Sequence, residues 1–366
     1  MTNSFVLKKF PDILTDISFS ENTNSALLKL AKYDGMVEFI PYPEVLTSIL
    51  FYQESVMSSR LEGTIATITD ILNYKVGKNL SERLEKDATE IENYKDALGY
   101  CIKEAEDNNF KITSRLIKNI QAIILTNSRG GDKLKGKYKE KQNYIGNKYD
   151  GEITYTPVSY LHTEEYMNNL IDFINSNHSE NLLIKTAIIH AYFELIHPFE
   201  DGNGRVGRIL IPILLKKYNI LSTPYFYISY YFSINRTKYI NALEKISKEN
   251  DWQTWINFFI TAIEQQTIVL TNTLRRLKEI RRKTEEEISD LKTQFCIPVL
   301  NFLFKQIKFK TTDFIEKTGI KASTARSLLK SLEDKKILEV EERGTGQSPS
   351  IYRFKDLYKM VEEISD

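Results

Sequence analysis

Along most of the chain, apolar residues recur at the three-and-four spacing of a helix rather than in the alternation of a strand. "PYPEVLTSILFYQESVMSSRL" sets Leu46, Ile49, Leu50, Gln53, Val56 and Met57 on or beside one face, with Pro43 acceptable in a first turn. "LSERLEKDATEIENYKDALGYCIKEAEDNN" predicts a charged-faced helix or two, ending at an Asn108-Asn109 turn. "TSRLIKNIQAIIL" opens with Thr113 or Ser114 as N-cap. Between Ser128 and Pro157 the pattern breaks into Gly, Lys and Tyr, and "QNYIG" and "EITYT" around "NKYDG" predict a loop and a short β-hairpin. Helices resume with "HTEEYMNNLIDFINSN", "NLLIKTAIIHAYFELI", "RILIPILLKKYNI" and "NRTKYINALEKISKENDWQTWINFFITAIEQQ".

Ile263, Leu270, Leu277 and Leu291 then recur at sevenfold spacing, with Thr284 in the same phase, which predicts a long amphipathic connecting helix. That face suits packing on its own domain as well as a homodimer seam. The last part changes rhythm: "CIPVLNFLFKQ", "TTDFIEKTG" and "ASTARSLLKSLEDKKI" predict three helices, and "LEVEERGTGQSPSIYRF" two strands around a Gly/Ser/Pro turn. This arrangement resembles a winged helix-turn-helix.

Composition narrows the class. At 366 residues the chain is long enough for a large core and a smaller appendix. With 50 Lys plus Arg against 49 Asp plus Glu, the net charge of +1 gives no global attraction to nucleic acid or acidic membrane. Cys101 and Cys296 lie far apart in apolar contexts, which favours free thiols in a reducing compartment. The opening "MTNSFVLKKFPDILTD" lacks the apolar run of a signal peptide, and no segment approaches a membrane span. A cytoplasmic protein with no membrane partner is expected.

The candidate chemistry sits in "HPFEDGNGRVGR", His197 to Arg208, directly after an apolar helical run. Pro198 disfavours helical geometry in the residue before it, so the helix should end at His197. Asp201 is a hard-oxygen ligand suited to Mg²⁺, which takes one or two carboxylates together with phosphate oxygens. Gly202, Asn203 and Gly204 allow successive N–H groups to point into an anion-binding nest, and the helix that follows favours phosphate at its N-terminus. Arg205 and Arg208, three apart, share a helical face and can fork onto phosphate oxygens. Together these residues describe a polyphosphate site with a base beside it.

Other motifs fail on inspection. As a calcium loop from Asp201, the segment has Val206 where the sixth-position glycine belongs and Pro212 where the last position needs Glu. "GDKLKGKY", Gly131 to Tyr138, approximates a P-loop but places Tyr138 where Ser or Thr must stand.

At these residues the sequence resembles the Fic family, whose motif HPFx[DE]GN[GK]RxxR is matched at every constrained position. The hairpin "NYIGNKYDGEITYTP", the segment "NRTKYINALEKISKENDW", the N-terminal "YDGMVEFIPYPEVL" and the C-terminal part resemble the family's architecture as well. The fold implied is mainly α: a Fic-type helical core with a β-hairpin flap, an N-terminal helical regulatory part and a C-terminal winged helix-turn-helix. The expected divisions are residues 1–110, 111–265, a connecting helix at 266–292, and 293–366.

The activity implied is transfer of AMP from ATP to a Ser, Thr or Tyr hydroxyl of a protein, which is in some cases the chain itself. On that resemblance His197 is the general base and Asp201 holds Mg²⁺. The nucleotide set is Gly202, Asn203, Gly204, Arg205, Val206, Gly207 and Arg208, with Tyr239 near the adenine. Ile240 departs from the family's second tyrosine there. Ile145 and Gly146 match the flap positions that pair with a target's main chain.

A second signal is "SSRLEGT". Ser58 and Glu62, four apart, share one helical face, and Gly63 is a plausible helix stop. By itself this describes a solvated glutamate at a helix end. The pattern also resembles the inhibitory motif [ST]xxxE[GN] of Fic proteins that carry their regulator within the chain, which implies that Glu62 pairs with Arg208. An arginine cannot fork onto a carboxylate and a γ-phosphate together.

Alternative readings are removal of AMP by the same site, transfer of a different group from a nucleotide, and a DNA-binding regulator acting through the C-terminal part. The last is not favoured. Lys321, Arg326 and Lys330 are offset by Glu333, Asp334, Glu339, Glu341 and Glu342.

Overall fold

The computed structural model describes residues 6–18, 23–40, 48–107, 110–127, 134–146, 153–177, 181–346 and 348–365. Pro43, Leu46, the Asn108-Asn109 turn, Ser128 to Lys133, and the hairpin tip at 147–152 lie outside the described residues. The protein is mainly helical with two small antiparallel sheets, as the periodicity predicts. It divides into two compact units, one made of Met1–Glu38, Met57–Thr64 and Thr89–Val269, the other of Phe39–Val56, Ile65–Ala88 and Leu270–Asp366.

The first unit is built around the helix Leu182–Ile196. Asn181 caps its start, accepting from the N–H groups of Leu183 and Ile184, both at 3.1 Å. All but two of its residues are buried, because the helix is apolar on every side and has no solvent face to offer. It packs against Thr163–Asn175 and Asn203–Lys217, and the latter packs in turn on Ser114–Ile124. Thr113 is the N-cap of that last helix, its hydroxyl accepting from the Leu116 N–H at 3.1 Å. The expected hairpin is present as Ile145–Gly146 paired with Ile153–Tyr155.

The second unit contains the helices Ile68–Lys75, Cys296–Lys305, Thr311–Thr318, Ala322–Asp334 and Lys355–Ser365. Two strands are expected from the sequence here and three are found. Lys308–Lys310 and Leu338–Glu342 flank Ile351–Phe354 in one antiparallel sheet. Phe302, Phe309 and Phe314 meet edge-on or stacked beneath it.

The connecting helix runs from Trp252 to Ser289. Its sevenfold positions Ile263, Leu270, Leu277 and Thr284 are buried, so the chain's own side chains occupy that face. Cys101 and Cys296 are free thiols. No helix among the described residues is long and apolar enough to cross a membrane.

Candidate active site

The helix Leu182–Ile196 ends where Pro198 requires. His197 takes the left-handed conformation, φ 49° and ψ 62°, while its N–H still bonds to the Phe193 carbonyl at 3.0 Å. The chain then turns through Pro198–Asp201, reaches Gly202 at φ 84°, and enters the helix Asn203–Lys217. Asn203 closes this turn on itself: its Oδ1 accepts from the Phe199 N–H and its Nδ2 donates to the Phe199 carbonyl, both at 2.8 Å. Phe199 is fully buried and anchors the turn.

His197 is partly exposed, and its Nδ1 is buried without a well-formed hydrogen bond, although the Glu194 carbonyl is near enough to attract its proton. Desolvation, and after it the Lys139 ammonium, push the imidazole down to about 4, outweighing the opposite pull of Glu62 and Asp201. It is therefore neutral at physiological pH and able to accept a proton.

Asp201 Oδ1 accepts from the Gly202 N–H at 2.6 Å and from Arg205 Nη2 at 3.2 Å. The Gly202 donor expected to face an anion is thus already used, because the carboxylate folds back over its own turn. Arg205, 5% exposed, also lies 3.7 Å from Glu90, while its Nε and Nη1 are buried without hydrogen bonds. Such orphaned guanidinium donors are costly unless something anionic approaches them. Val206 points into the core, and Gly207 faces the side chains of Glu194, Phe193 and His190.

Arg208 is buried and reaches the end of the helix Ser48–Leu61. Its Nε donates to Ser58 Oγ at 2.8 Å, and its Nη2 to the Ser58 carbonyl at 3.0 Å and to Glu62 Oε1 at 2.7 Å. Gly63 stops that helix at φ 104°, as its position suggests. Desolvation would raise the Glu62 carboxyl, but Arg208 and then Arg205 outweigh it and hold it below the usual range. Arg208, which burial alone would lower, is pushed up by Glu62. The pair lies across the first turn of Asn203–Lys217. A Cβ on Gly204 would fall 2.4 Å from Glu62 Oε1 and 2.7 Å from Arg208 Nη1, so only glycine admits the pair there.

Tyr239 is buried, stacked on Phe232 with centroids 4.6 Å apart, and its hydroxyl lies 3.1 Å from His190 Nε2. Ile145 is partly exposed and Gly146 exposed on the first hairpin strand.

The sequence did not signal several residues that hold these parts. Gln121 donates from Nε2 to the Asp201 carbonyl at 3.2 Å and accepts the Gly136 N–H at 2.6 Å. Lys139 and Asn143 bond to the backbone of the His197 turn. Glu194 sits within the apolar run, where burial raises its carboxyl to about 8 against the pull of Arg208. Side chains that bond to backbone carbonyls leave no motif, since every residue offers the same acceptor.

A neutral histidine at a helix end, joined by one turn to the arginine-bearing N-terminus of a second helix, characterises this core. Residues 111–215 match the Fic/DOC family and residues 20–103 match that family's N-terminal region. Together these matches take in more than half of the chain, which belongs to the Fic/DOC family.

A probable protein adenylyltransferase of Aquifex aeolicus is 32% identical over 111 residues, 30% of this chain and 30% of its own length. The chain spans less than half the length of the curated relatives it matches. The fold is shared with a Fic domain containing signaling protein from Bacteroides thetaiotaomicron, at a TM-score of 0.56 and 22% identity over 68% of this chain and 97% of that one. It is also shared with a Fic family protein from Desulfovibrio desulfuricans, at a TM-score of 0.54 and 16% identity over 93% and 98%.

Proposed function

We propose that this chain is a protein adenylyltransferase whose resting activity is held low by Glu62. The observation that carries the reading is the neutral imidazole of His197 one turn away from a helix N-terminus with orphaned arginine donors. His197 accepts the proton of a target Ser, Thr or Tyr hydroxyl. The oxygen attacks the α-phosphorus of ATP, one phosphorus–oxygen bond forms, and the bond to pyrophosphate breaks. The Asn203 and Gly204 N–H groups and the dipole of their helix face the phosphate oxygens. Arg205 balances charge on the departing pyrophosphate, and Arg208 grips the γ-phosphate once Glu62 releases it. Val206 and Gly207 contribute the backbone between the two arginines. Tyr239 lies beside the adenine, and Ile145 and Gly146 pair with the target's main chain.

Asp201 suits Mg²⁺: it is one partly exposed carboxylate, 36% accessible, at a site where phosphate oxygens would complete the shell. No group of three or more His, Cys, Asp or Glu that could hold a metal is present among the described residues, which fits a metal carried in with the nucleotide. When bound, Mg²⁺ would neutralise phosphate charge.

On the same reading residues 1–110 carry the brake, 111–265 the catalytic domain and 266–292 the connecting helix. Residues 293–366 form a winged helix that meets protein rather than DNA. Support for that choice comes from pairing of its charges within the chain, Arg343 with Glu333 and Arg353 with Glu339. Two free thiols fit a reducing, cytoplasmic setting.

Intact-mass measurement after incubation with Mg²⁺ and ATP tests the reaction. A gain of one adenylyl group on the chain or on lysate proteins is expected. A gain of phosphate alone would overturn it.

A further inference from the structure

Five consecutive carbonyl oxygens, Leu195 to Phe199, accept hydrogen bonds from the stretch of chain that forms the hairpin. Tyr155 Oη donates to Leu195 at 2.9 Å, Lys139 Nζ to Ile196 at 3.1 Å, and Asn143 Nδ2 to His197 at 3.0 Å. The Lys139 N–H donates to Pro198 at 2.8 Å, and Asn143 Nδ2 reaches Phe199 at 3.0 Å. Lys139 Nζ also donates to Asn143 Oδ1 at 2.8 Å, so the two clamping side chains hold each other. Two residues beyond Asn143 begins the strand Ile145–Gly146, and Tyr155 ends the strand paired with it.

A helix C-terminus leaves carbonyls unpaired, and water or a glycine cap ordinarily satisfies them. Here a lysine 3% exposed does so instead, and burying an ammonium is expensive. Burial lowers Lys139 to about 7, which measures that cost. Capping alone does not require it. What Lys139 adds is a fixed link from the hairpin to the residue whose backbone aims the imidazole.

We propose that Lys139 and Asn143 are positioning residues for His197, joining hairpin and base so that main-chain pairing on Ile145–Gly146 and the setting of the imidazole are coupled. The proposal rests on the reading of His197 as the base of adenylyl transfer and of the hairpin as the target's docking strand. The groups that face His197 are Lys139, the Glu62 and Asp201 carboxylates and the Glu194 carbonyl. Lys139 is the cation among them, so its loss leaves the acids to favour the imidazolium. Asn143 carries no charge, so its loss loosens the backbone and leaves that balance in place.

The test is NMR titration of the full chain, following the His197 ring and the Gly146 amide in wild type, Lys139→Met, Lys139→Arg and Asn143→Ala. In wild type the Gly146 amide is expected to shift with the His197 midpoint. Lys139→Met should raise that midpoint and Lys139→Arg should restore it. Asn143→Ala should leave the midpoint near its wild-type value while Gly146 ceases to follow it. An unchanged midpoint in a folded Lys139→Met, or a Gly146 amide that tracks His197 equally well in Asn143→Ala, overturns the proposal. If Lys139→Met does not fold, the Asn143→Ala comparison decides alone.

Incorporation of label from ATP, measured in parallel, should fall about tenfold or more in kcat for Asn143→Ala, with KM for ATP unchanged. Intact ring-to-amide coupling with no incorporation in any variant would reject the adenylyl-transfer reading and spare the linkage. Incorporation with no coupling would do the reverse.

Discussion

Arg208 and Glu62 meet at 2.7 Å across the first turn of the helix Asn203–Lys217, and a glycine at 204 is what lets them lie there. The carboxylate thus stands at a helix N-terminus, the place in a fold most hospitable to an anion. On the proposed reading it competes directly with a phosphate for the same guanidinium.

Glu62→Gly should therefore increase AMP incorporation. About 1.4 kcal/mol of preference for the productive phosphate pose would raise the rate tenfold. Arg208 stays docked in that variant, because Ser58 still accepts from its Nε and Nη2. Arg208→Ala in the Glu62→Gly background should remove the gain. Initial rates from labelled ATP at matched Mg²⁺ check both, and equal rates for wild type and Glu62→Gly would dispose of the brake.

His197→Ala should abolish transfer and leave ATP affinity nearly unchanged, since the phosphates are held by other groups. The wild-type rate should also persist to unusually low pH. The imidazole is pushed down to about 4, so it is neutral above that value and is lost as a base only as pH falls through it. A kcat profile of the Glu62→Gly variant, which separates the base from the brake, checks this. An acid limb at the ordinary histidine value, near pH 6.5, would contradict the burial of His197.

Asn203→Ala should destabilise the protein by about 1–3 kcal/mol, the cost of leaving buried backbone groups without partners. Its two bonds to Phe199 close the turn, and Asn143 covers only the carbonyl in its absence. Urea unfolding with the slope held common to both proteins measures it. A loss below half a kcal/mol would mean that water replaces the side chain.

Asp201→Asn should weaken transfer most when Mg²⁺ is scarce, because an amide oxygen is a poorer ligand than a carboxylate. It should also loosen Arg205, which the carboxylate holds at 3.2 Å. Rates across a Mg²⁺ series separate the two effects: a metal role shifts the half-saturating concentration, whereas a role through Arg205 lowers the plateau.

The catalytic turn was legible because its chemistry needs particular side chains at fixed spacing. Gly63, Thr113 and Pro198 were legible because helix ends have local rules, and all three stand where those rules place them. Lys139, Asn143 and Gln121 were not legible. Their partners are main-chain oxygens of a segment remote in sequence, so neither end of the contact is written in residue identity. Glu194 was hidden by its neighbours: within "AYFELI" one acid reads as a solvated position on an apolar helix, whereas packing has enclosed it. The strand Lys308–Lys310 is too short to show alternation, and its pairing with Ile351–Phe354 makes it a strand.

The left-handed backbone of His197 has an evolutionary consequence. An L-residue with a Cβ resists that conformation by roughly 1–2 kcal/mol, and glycine does not. Selection for a sturdier molecule would thus drift toward glycine at the one position where the proposed chemistry forbids it. The histidine persists against the fold's own preference, and a lineage that lost its substrate should lose this residue early, keeping the helices intact around a silent turn.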